Sequence, residues 1–255
     1  MSTDQRDTPD PTGTGDVPRR AVLAGAALAA GGTGTVLAQA PGNPQATTAA
    51  SPGSGGAAAG RLLTPQAVAI ALVDHQPAVA FPITSIDRQT LVNNSVALTK
   101  TAVAFKVPLV LSTIREDASG PLFEEITAAA PGVPVVARPS RRNAWQDPNF
   151  VRAVEATGRK KLVMAGLWTE VCLALTTTSA IEAGYQVYIV TDASGGTTKE
   201  AHDMAVLRMV QAGATPVTWL QVNRELLDAS SPQPPALNAA IRDIDKAHSG
   251  ALGLV

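Results

Sequence analysis

Short apolar runs recur along residues 67–220, and their character restricts the fold of this chain more than any other feature. Each run has the length of a strand and consists mostly of Val, Ile and Leu, with little polar alternation. That pattern is typical of strands that are buried on both faces of a parallel sheet. The predicted strands are Val68–Val73, Val107–Leu111, Val133–Ala137, Leu162–Ala165, Val187–Val190 and Pro216–Leu220.

Segments with helical spacing lie between these runs. Their alternation with the runs predicts an α/β fold, a three-layer α/β/α sandwich around a six-stranded parallel sheet with Rossmann-like topology. In a sheet of order 3-2-1-4-5-6, the first and fourth strands are neighbours at the centre. The predicted helices span roughly 89–105, 121–130, 148–157, 170–183 and 198–212.

The first 40 residues differ in character from the rest. Arg19-Arg20 precedes an uncharged apolar run that ends in Ala38-Gln39-Ala40, which predicts a twin-arginine export signal over residues 1–40. The translocase is then a partner during export, and the mature protein is periplasmic or secreted. The run is only weakly hydrophobic, which argues against a permanent membrane anchor. The alternatives to an export signal are an uncleaved membrane anchor and an arginine pair that occurs by chance.

The remaining chain divides by composition. Residues 41–60 carry no charge and are mostly Pro, Gly, Ala, Ser and Thr, which predicts a disordered linker. The folded domain is expected at 61–228 and a C-terminal tail at 229–255, with residues 236–255 able to pack on a neighbouring subunit. Lys plus Arg number 20 and Asp plus Glu number 21, so no basic surface for nucleic acid is expected.

Candidate functional residues lie where the predicted strands end, because ligands of such sheets bind at the carboxyl ends of the strands. Asp74 closes the first strand, Arg138 follows the third, and Cys172 lies soon after the fourth. A carboxylate, a permanent cation and a nucleophile would meet at one crevice. Asp74 is a candidate general base, whereas Arg138 can polarise a neighbour but cannot accept a proton at neutral pH.

Each of these residues also has a structural interpretation. Asp74 could cap a helix, Arg138 could be an ion-pair partner only, and a lone cysteine is often a buried thiol. If Thr169 is the N-cap of the next helix, Cys172 lies in its first turn, where the helix dipole and a nearby arginine favour a thiolate. The single cysteine excludes an intramolecular disulfide.

No cofactor or metal is expected from the motifs. The three histidines, His75, His202 and His248, lack metal-ligand spacing. Ser194-Gly195-Gly196-Thr197 lacks the Gly-x-x-x-x-Gly-Lys pattern of a phosphate loop and is better interpreted as a tight turn.

The motifs together resemble those of the isochorismatase-like cysteine hydrolases, and most closely the YcaC-like branch. The resemblance covers about residues 65–225, and motif order and spacing agree throughout. It rests on Asp74-His75-Gln76, on Ala137-Arg138-Pro139 with Asn143-Ala144-Trp145, on Gly166–Cys172 and on Val190–Gly195.

The resemblance implies a catalytic triad of Asp74, Arg138 and Cys172, with Arg138 at a position that is Lys in the wider superfamily. It also implies a cis peptide bond between Leu167 and Trp168 and an oxyanion hole formed by the backbone N–H groups of Trp168 and Cys172. Homo-oligomers of the tetramer or octamer kind are implied as well. The residues expected to line the substrate pocket are Trp168, Asn143, Trp145 and Phe81.

The expected function is hydrolysis of a small amide or related C–N carbonyl substrate through a Cys172 thioester. Nicotinamide is disfavoured because no histidine lies between His75 and His202 to complete the metal site of nicotinamidase-type members. Isochorismate cleavage does not need the cysteine, so Cys172 argues against it. The alternative is a non-hydrolytic protein that uses the fold for binding, assembly or thiol-redox chemistry.

Overall fold

Six parallel strands form one sheet in the computed structural model, which describes residues 60 and 62–249. The predicted export signal over residues 1–40 and all but the last residue of the predicted linker lie outside this range. The order across the sheet is β3-β2-β1-β4-β5-β6, as predicted. The strands are β1 (Val68–Val73), β2 (Leu109–Ile114), β3 (Val135–Arg138), β4 (Lys161–Gly166), β5 (Gln186–Val190) and β6 (Thr215–Val217).

Helices follow the strands and cover the sheet. Two of them are single turns that shape the loops after β1 and β2. The helices are α1 (Pro77–Ala80), α2 (Arg88–Ala104), α3 (Glu116–Ser119), α4 (Glu124–Ala129), α5 (Pro148–Ala156), α6 (Ala174–Glu182), α7 (Lys199–Gln211), α8 (Trp219–Asp228) and α9 (Pro235–His248).

The side chains of β1 alternate between two hydrophobic cores. Val68, Ile70 and Leu72 pack with buried residues of α2, α4, α8 and α9. Ala69, Ala71 and Val73 pack on the opposite face with residues of α5, α6 and α7. Because both faces of β1 are fully covered, its sequence is continuously apolar, and the three-layer sandwich is confirmed.

The register at the centre of the sheet positions the site. Val73 lies opposite Ser112 of β2 and Gly166 of β4. The chain therefore leaves β1 and β4 side by side. The segments that begin at Asp74 and Leu167 meet at the carboxyl-terminal end of these two strands.

The sixth strand is shorter than predicted. It ends at Val217, and α8 begins at Trp219, inside the predicted run Pro216–Leu220. Thr218 ends the strand because its hydroxyl accepts a hydrogen bond from Gln221 N at 3.2 Å and so caps α8. Asp192 Oδ1 also accepts from Trp219 N, at 2.9 Å.

The predicted C-terminal tail contains helix α9. Its buried residues Ile241 and Ile244 belong to the same core as β1, and Asp245 pairs with Arg224 of α8 at 2.8 Å. The helix packs against α2 of its own chain, so residues up to His248 extend the domain beyond the predicted boundary at 228. Within the described residues, no helix is long and apolar enough to cross a membrane.

Candidate active site

Asp74 is held in a left-handed backbone conformation directly after β1. Its φ is 63°, a region that aspartate enters more readily than most residues. The backbone N–H donates to Ser112 O at 2.9 Å, and the side chain is fully buried. The turn therefore directs a buried carboxyl group to the carboxyl-terminal end of the central strands.

The two residues after Asp74 fix this loop. The Gln76 side chain accepts from Ile114 N at 2.8 Å and donates to Ile114 O at 3.1 Å, which ties the loop to the end of β2. His75 Nε2 lies 2.9 Å from Ala193 O, and since a carbonyl can only accept, this nitrogen carries the ring proton. Burial lowers the pKa of His75 to about 4, so the imidazole is a neutral structural group at neutral pH.

Arg138 neutralises the Asp74 carboxylate. It ends β3, which is separated from β1 by β2, and its long side chain crosses the end of β2 to contact Asp74 Oδ1 through Nη2. Its Nη1 donates to Arg141 O. Both side chains of the ion pair are 0% exposed.

Cys172 lies in a single π-helical turn, Thr169–Leu173, that leads into α6. The Leu167–Trp168 peptide bond before it is cis. The cap position of this turn is Trp168, without a side-chain cap, whereas Thr169 was the N-cap candidate in the sequence. The Thr169 hydroxyl instead lies 2.9 Å from His202 Nδ1.

The electrostatics of the thiol differ from the sequence expectation. Burial raises the pKa of Cys172, and the nearby Asp74 carboxylate raises that pKa further, against the opposing effects of Arg138 and the Trp168 backbone. Burial also raises the pKa of Asp74, although the charge and hydrogen bond of Arg138 oppose this shift. The cysteine is thus a neutral thiol at rest, because burial beside a carboxylate outweighs the helix dipole and the arginine.

The carboxyl group and the thiol interact directly. Asp74 Oδ2 is buried and makes no hydrogen bond of ordinary geometry to any described residue. A looser contact with the thiol nevertheless shifts the pKa of both groups. A neutral thiol next to a carboxylate of raised pKa is suited to proton transfer between the two, and Arg138 holds the carboxylate in place for it.

A cavity of about 360 Å³ opens over Cys172, a size that suits a small molecule. Trp168 forms part of its wall, and its indole is fixed by a hydrogen bond from Nε1 to Val79 O at 2.6 Å. The lining residues are Ala78, Val79, Ile114, Arg115, Ser119, Ser140, Arg142, Trp168, Val171 and Cys172.

Phe81, Asn143 and Trp145 are not part of this cavity lining. Phe81 follows α1 and is 86% exposed. The Asn143 amide donates to Ser179 Oγ at 2.9 Å and its carbonyl accepts from Trp145 N. The Trp145 ring packs edge-on against Phe150 and Tyr185. These contacts occupy Asn143 and Trp145 structurally, so substrate binding by the three residues stays a prediction.

Sequence reasoning missed Arg115 and Arg142, which do line the cavity. Arg115 directly follows β2, which ends at Ile114. The predicted strand ended at Leu111, so the residue at its carboxyl end was not recognised. Arg142 lies next to Asn143 in a motif that was recognised, and its charge was the available signal.

A second set of contacts braces the turn that carries Cys172. Thr169 N donates to Gly195 O at 2.9 Å, and Glu170 Oε1 accepts from the backbone N–H and hydroxyl of Thr197 at 3.0 and 2.7 Å. A Cβ on Gly196 would lie 2.8 Å from Glu170 Oε2, so glycine permits this close approach. Within the described part of the chain, no group of three His, Cys, Asp or Glu side chains could hold a metal ion.

Comparison with known proteins identifies the group to which this site belongs. The sequence profile of the isochorismatase family, described as "Isochorismatase domain", matches residues 68–221. "Probable hydrolase YcaC" of Escherichia coli K12 is 43% identical over 159 residues, which cover 62% of this chain and 76% of that protein.

Two solved structures share the fold. YcaC from Pseudomonas aeruginosa with hexane-2,5-diol and covalent acrylamide has a TM-score of 0.69 at 36% identity, and the match covers 74% of this chain and 95% of the other. The Escherichia coli YcaC gene product, described as an octameric hydrolase of unknown specificity, has a TM-score of 0.69 at 39% identity, with coverage of 74% and 91%. The chain therefore belongs to the isochorismatase family and, within it, to the YcaC-like branch.

Proposed function

We propose that this protein is a cysteine hydrolase that cleaves a small amide or related C–N carbonyl compound through a thioester on Cys172. The observation that carries the proposal is the arrangement around the thiol that lines the cavity. The Asp74 carboxyl group contacts the Arg138 guanidinium and interacts with the Cys172 thiol. The covalent acrylamide in the Pseudomonas relative is consistent with a reactive nucleophile, because acrylamide adds to thiols through its C=C double bond.

The first half-reaction forms the thioester. Asp74 accepts the Cys172 proton as the sulfur attacks the carbonyl carbon, and the negative charge moves to the carbonyl oxygen. The backbone N–H groups of Trp168 and Cys172 stabilise that oxyanion. Asp74 then returns the proton to the leaving nitrogen, and the C–N bond breaks to release the amine.

The second half-reaction restores the enzyme. Asp74 accepts a proton from water, and the resulting hydroxide attacks the thioester carbonyl. The C–S bond breaks, the acid leaves, and the proton returns to the sulfur. Arg138 takes no proton in either half; it keeps the carboxyl group oriented and favours its ionised form.

The raised pKa of Asp74 supports this assignment. A carboxylate of ordinary pKa is a weak base for a thiol, and burial strengthens Asp74 as a base while Arg138 opposes the rise of its pKa. The raised pKa of Cys172 means that the proton moves during the attack rather than before it.

The test combines turnover with detection of the intermediate. Purified protein is screened against small amides with ammonia release as the readout, and acid-quenched samples are examined by intact mass for an acyl adduct. Cys172→Ala should show neither turnover nor adduct. Arg208→Gln, an exposed change on α7, is the control and should behave as wild type.

Two outcomes would contradict the mechanism. Hydrolysis by Cys172→Ala at the wild-type rate would exclude a thioester. A thiol that resists both acrylamide and iodoacetamide, without turnover of any amide, would favour the binding or assembly alternative. Reversible oxidation of Cys172 by a partner thiol would favour a redox role.

We also propose that the protein works as a homo-oligomer, because the Escherichia coli relative is octameric. Met204 and Leu207 on α7 are 54% and 48% exposed in the single chain, and a second copy would cover such apolar residues. Light scattering should give the mass of a tetramer or octamer, and Met204→Lys with Leu207→Lys should lower it. A monomeric wild type would refute this proposal.

Export is a further proposal, and it rests on the N-terminal sequence. Fractionation of cells that express the full chain should place the mature protein outside the cytoplasm. Arg19→Lys with Arg20→Lys should retain it inside, since the arginine pair is the translocase signal. Equal export of both forms would refute a twin-arginine route.

A further inference from the structure

Two arginines line the cavity over Cys172, and no acidic residue of the described chain shares that lining. We propose that the substrate carries a carboxylate close to the carbonyl that is attacked, and that Arg115 and Arg142 bind this carboxylate. The inference rests on the proposed hydrolase function, and it specifies the substrate class as small amides of a dicarboxylic or amino acid type.

Arg115 is anchored through its backbone and available through its side chain. Its φ is 45° and its N–H donates to Arg138 O at 2.9 Å, so its main chain is attached to the end of β3. The side chain is 56% exposed and its only ion pair in the described chain, to Asp117 at 3.7 Å, involves a carboxylate that is 76% exposed. Such an exposed pair is weak, so a bound anion can replace Asp117.

Arg142 is supported by its two neighbours. The carbonyl of Arg141 accepts from the Arg138 guanidinium, and the Asn143 amide donates to Ser179 Oγ at 2.9 Å. The Arg142 side chain is exposed, and no hydrogen bond or ion pair engages its guanidinium anywhere in residues 60 and 62–249. Its donors are free for a ligand at the cavity.

The acidic groups near the cavity do not cancel this positive charge. Asp74 is fully buried and paired with Arg138. Glu116 Oε1 accepts from the Thr113 hydroxyl at 2.7 Å, which directs that carboxylate toward β2. The hydroxyl groups of Ser119 and Ser140 also line the cavity and can donate to an anion. Guanidinium groups bind carboxylates through paired, charge-assisted hydrogen bonds.

The cavity size limits the distance between carboxylate and scissile carbonyl. A volume of about 360 Å³ lies at the small end of ligand cavities, and Cys172 and both arginines line it, so one small molecule can reach all three. Succinamate, which carries an amide and a carboxylate two carbons apart, is a suitable probe. Butanamide is its uncharged counterpart of similar length.

The first experiment measures charge selectivity at Cys172 without requiring hydrolysis. Iodoacetate and iodoacetamide have nearly the same size and differ by one negative charge, and their rates of Cys172 alkylation are followed by intact mass. Arg115→Gln with Arg142→Gln should lower the iodoacetate-to-iodoacetamide rate ratio by about tenfold, the low end of electrostatic attraction into a charged cleft. Added salt should lower the ratio of the wild type.

Arg208→Gln, which removes one exposed arginine of α7, is the control for net charge. An unchanged ratio in the double variant, or an equal fall in Arg208→Gln, would overturn the inference.

The second experiment separates this inference from the hydrolase proposal and covers a thiol that reacts with neither reagent. Thermal shifts of Cys172→Ala with succinamate and with butanamide report binding alone. Succinamate should raise the Tm more, and the double arginine variant should remove that difference. Selective binding without any turnover in the wild type would leave the anion site standing and refute the hydrolase. Turnover of both amides with equal kcat/KM and no selective binding would support the hydrolase and refute the anion site.

Discussion

Removal of Arg138 should show how much the buried Asp74–Arg138 ion pair contributes to the stability of the fold. Arg138→Met keeps an unbranched apolar side chain but leaves Asp74, whose side chain is 0% exposed, without a cation. Loss of one partner from a fully buried pair costs about 3–5 kcal/mol of unfolding free energy. We expect a loss of that size at pH 8.

The same loss should shrink as the pH falls. Arg138 lowers the pKa of Asp74, so the variant's Asp74 has a pKa even further above the ordinary value of 3.8. A carboxyl group with a raised folded pKa binds its proton more tightly in the folded state, so folding becomes more favourable as the pH falls through that pKa. Between the pKa of Asp74 in the wild type and its higher pKa in the variant, the carboxyl group is protonated in the variant only. Across that interval, the variant's deficit in unfolding free energy should shrink by about 1.4 kcal/mol for each pH unit.

Urea unfolding at pH 5, 6.5 and 8, at one fixed protein concentration, measures both effects. Lys199→Met is the control, because its pair with Asp203 is exposed, at 77% and 45%, and an exposed pair contributes less than about 1 kcal/mol. Asp74→Asn with Arg138→Met removes both charges and should recover part of the stability. A deficit below about 1 kcal/mol at pH 8, or one that does not shrink on acidification, would refute the reasoning.

Three further perturbations test the site. Asp74→Asn should lower kcat/KM about 10²–10⁴-fold and remove the acid limb of the pH profile, whose apparent pKa in the wild type should lie above 3.8; a retained limb would assign it to another group. Gly166→Ala places a Cβ 3.1 Å from Leu173 Cβ and should cost about 1–3 kcal/mol and lower kcat, whereas an unchanged Tm in thermal melts would show that the turn can adjust. Gln76→Ala leaves the backbone groups of Ile114 without their partner and should cost about 1–3 kcal/mol in urea unfolding, with a loss below 0.5 kcal/mol as the contrary result.

The fold was predictable because the central strands β1 and β4 are buried on both faces. Continuous apolar runs located all six strands, and β1 was predicted with its observed bounds, Val68–Val73. The ends of the shorter elements were harder, because a short apolar run does not distinguish a strand from a buried helix start. At Trp219 the cap on Thr218 decides the outcome. Helix α9 carries Leu237, Ile241 and Ile244 at helical spacing, a signal that the preceding prolines obscured.

The site was predictable only in part. Placement of Asp74 and Cys172 at neighbouring central strands followed from the strand order. The position of Arg138 at a strand end predicted that it lies near the same crevice, with an ion pair as one of its two interpretations. The direction of the Cys172 pKa shift did not follow, because it depends on the depth of burial and on the close approach of Asp74. Neither quantity is encoded in residue spacing.

The neutral resting state of Cys172 has a consequence for the lifetime of the enzyme. Peroxides and other oxidants attack the thiolate rather than the thiol. Burial and the Asp74 carboxylate raise the pKa of Cys172, so the resting protein holds little thiolate, and in the proposed mechanism the sulfur loses its proton only during the attack. We expect the idle enzyme to survive in oxidising surroundings where a permanently ionised cysteine would be lost to sulfinic or sulfonic acid.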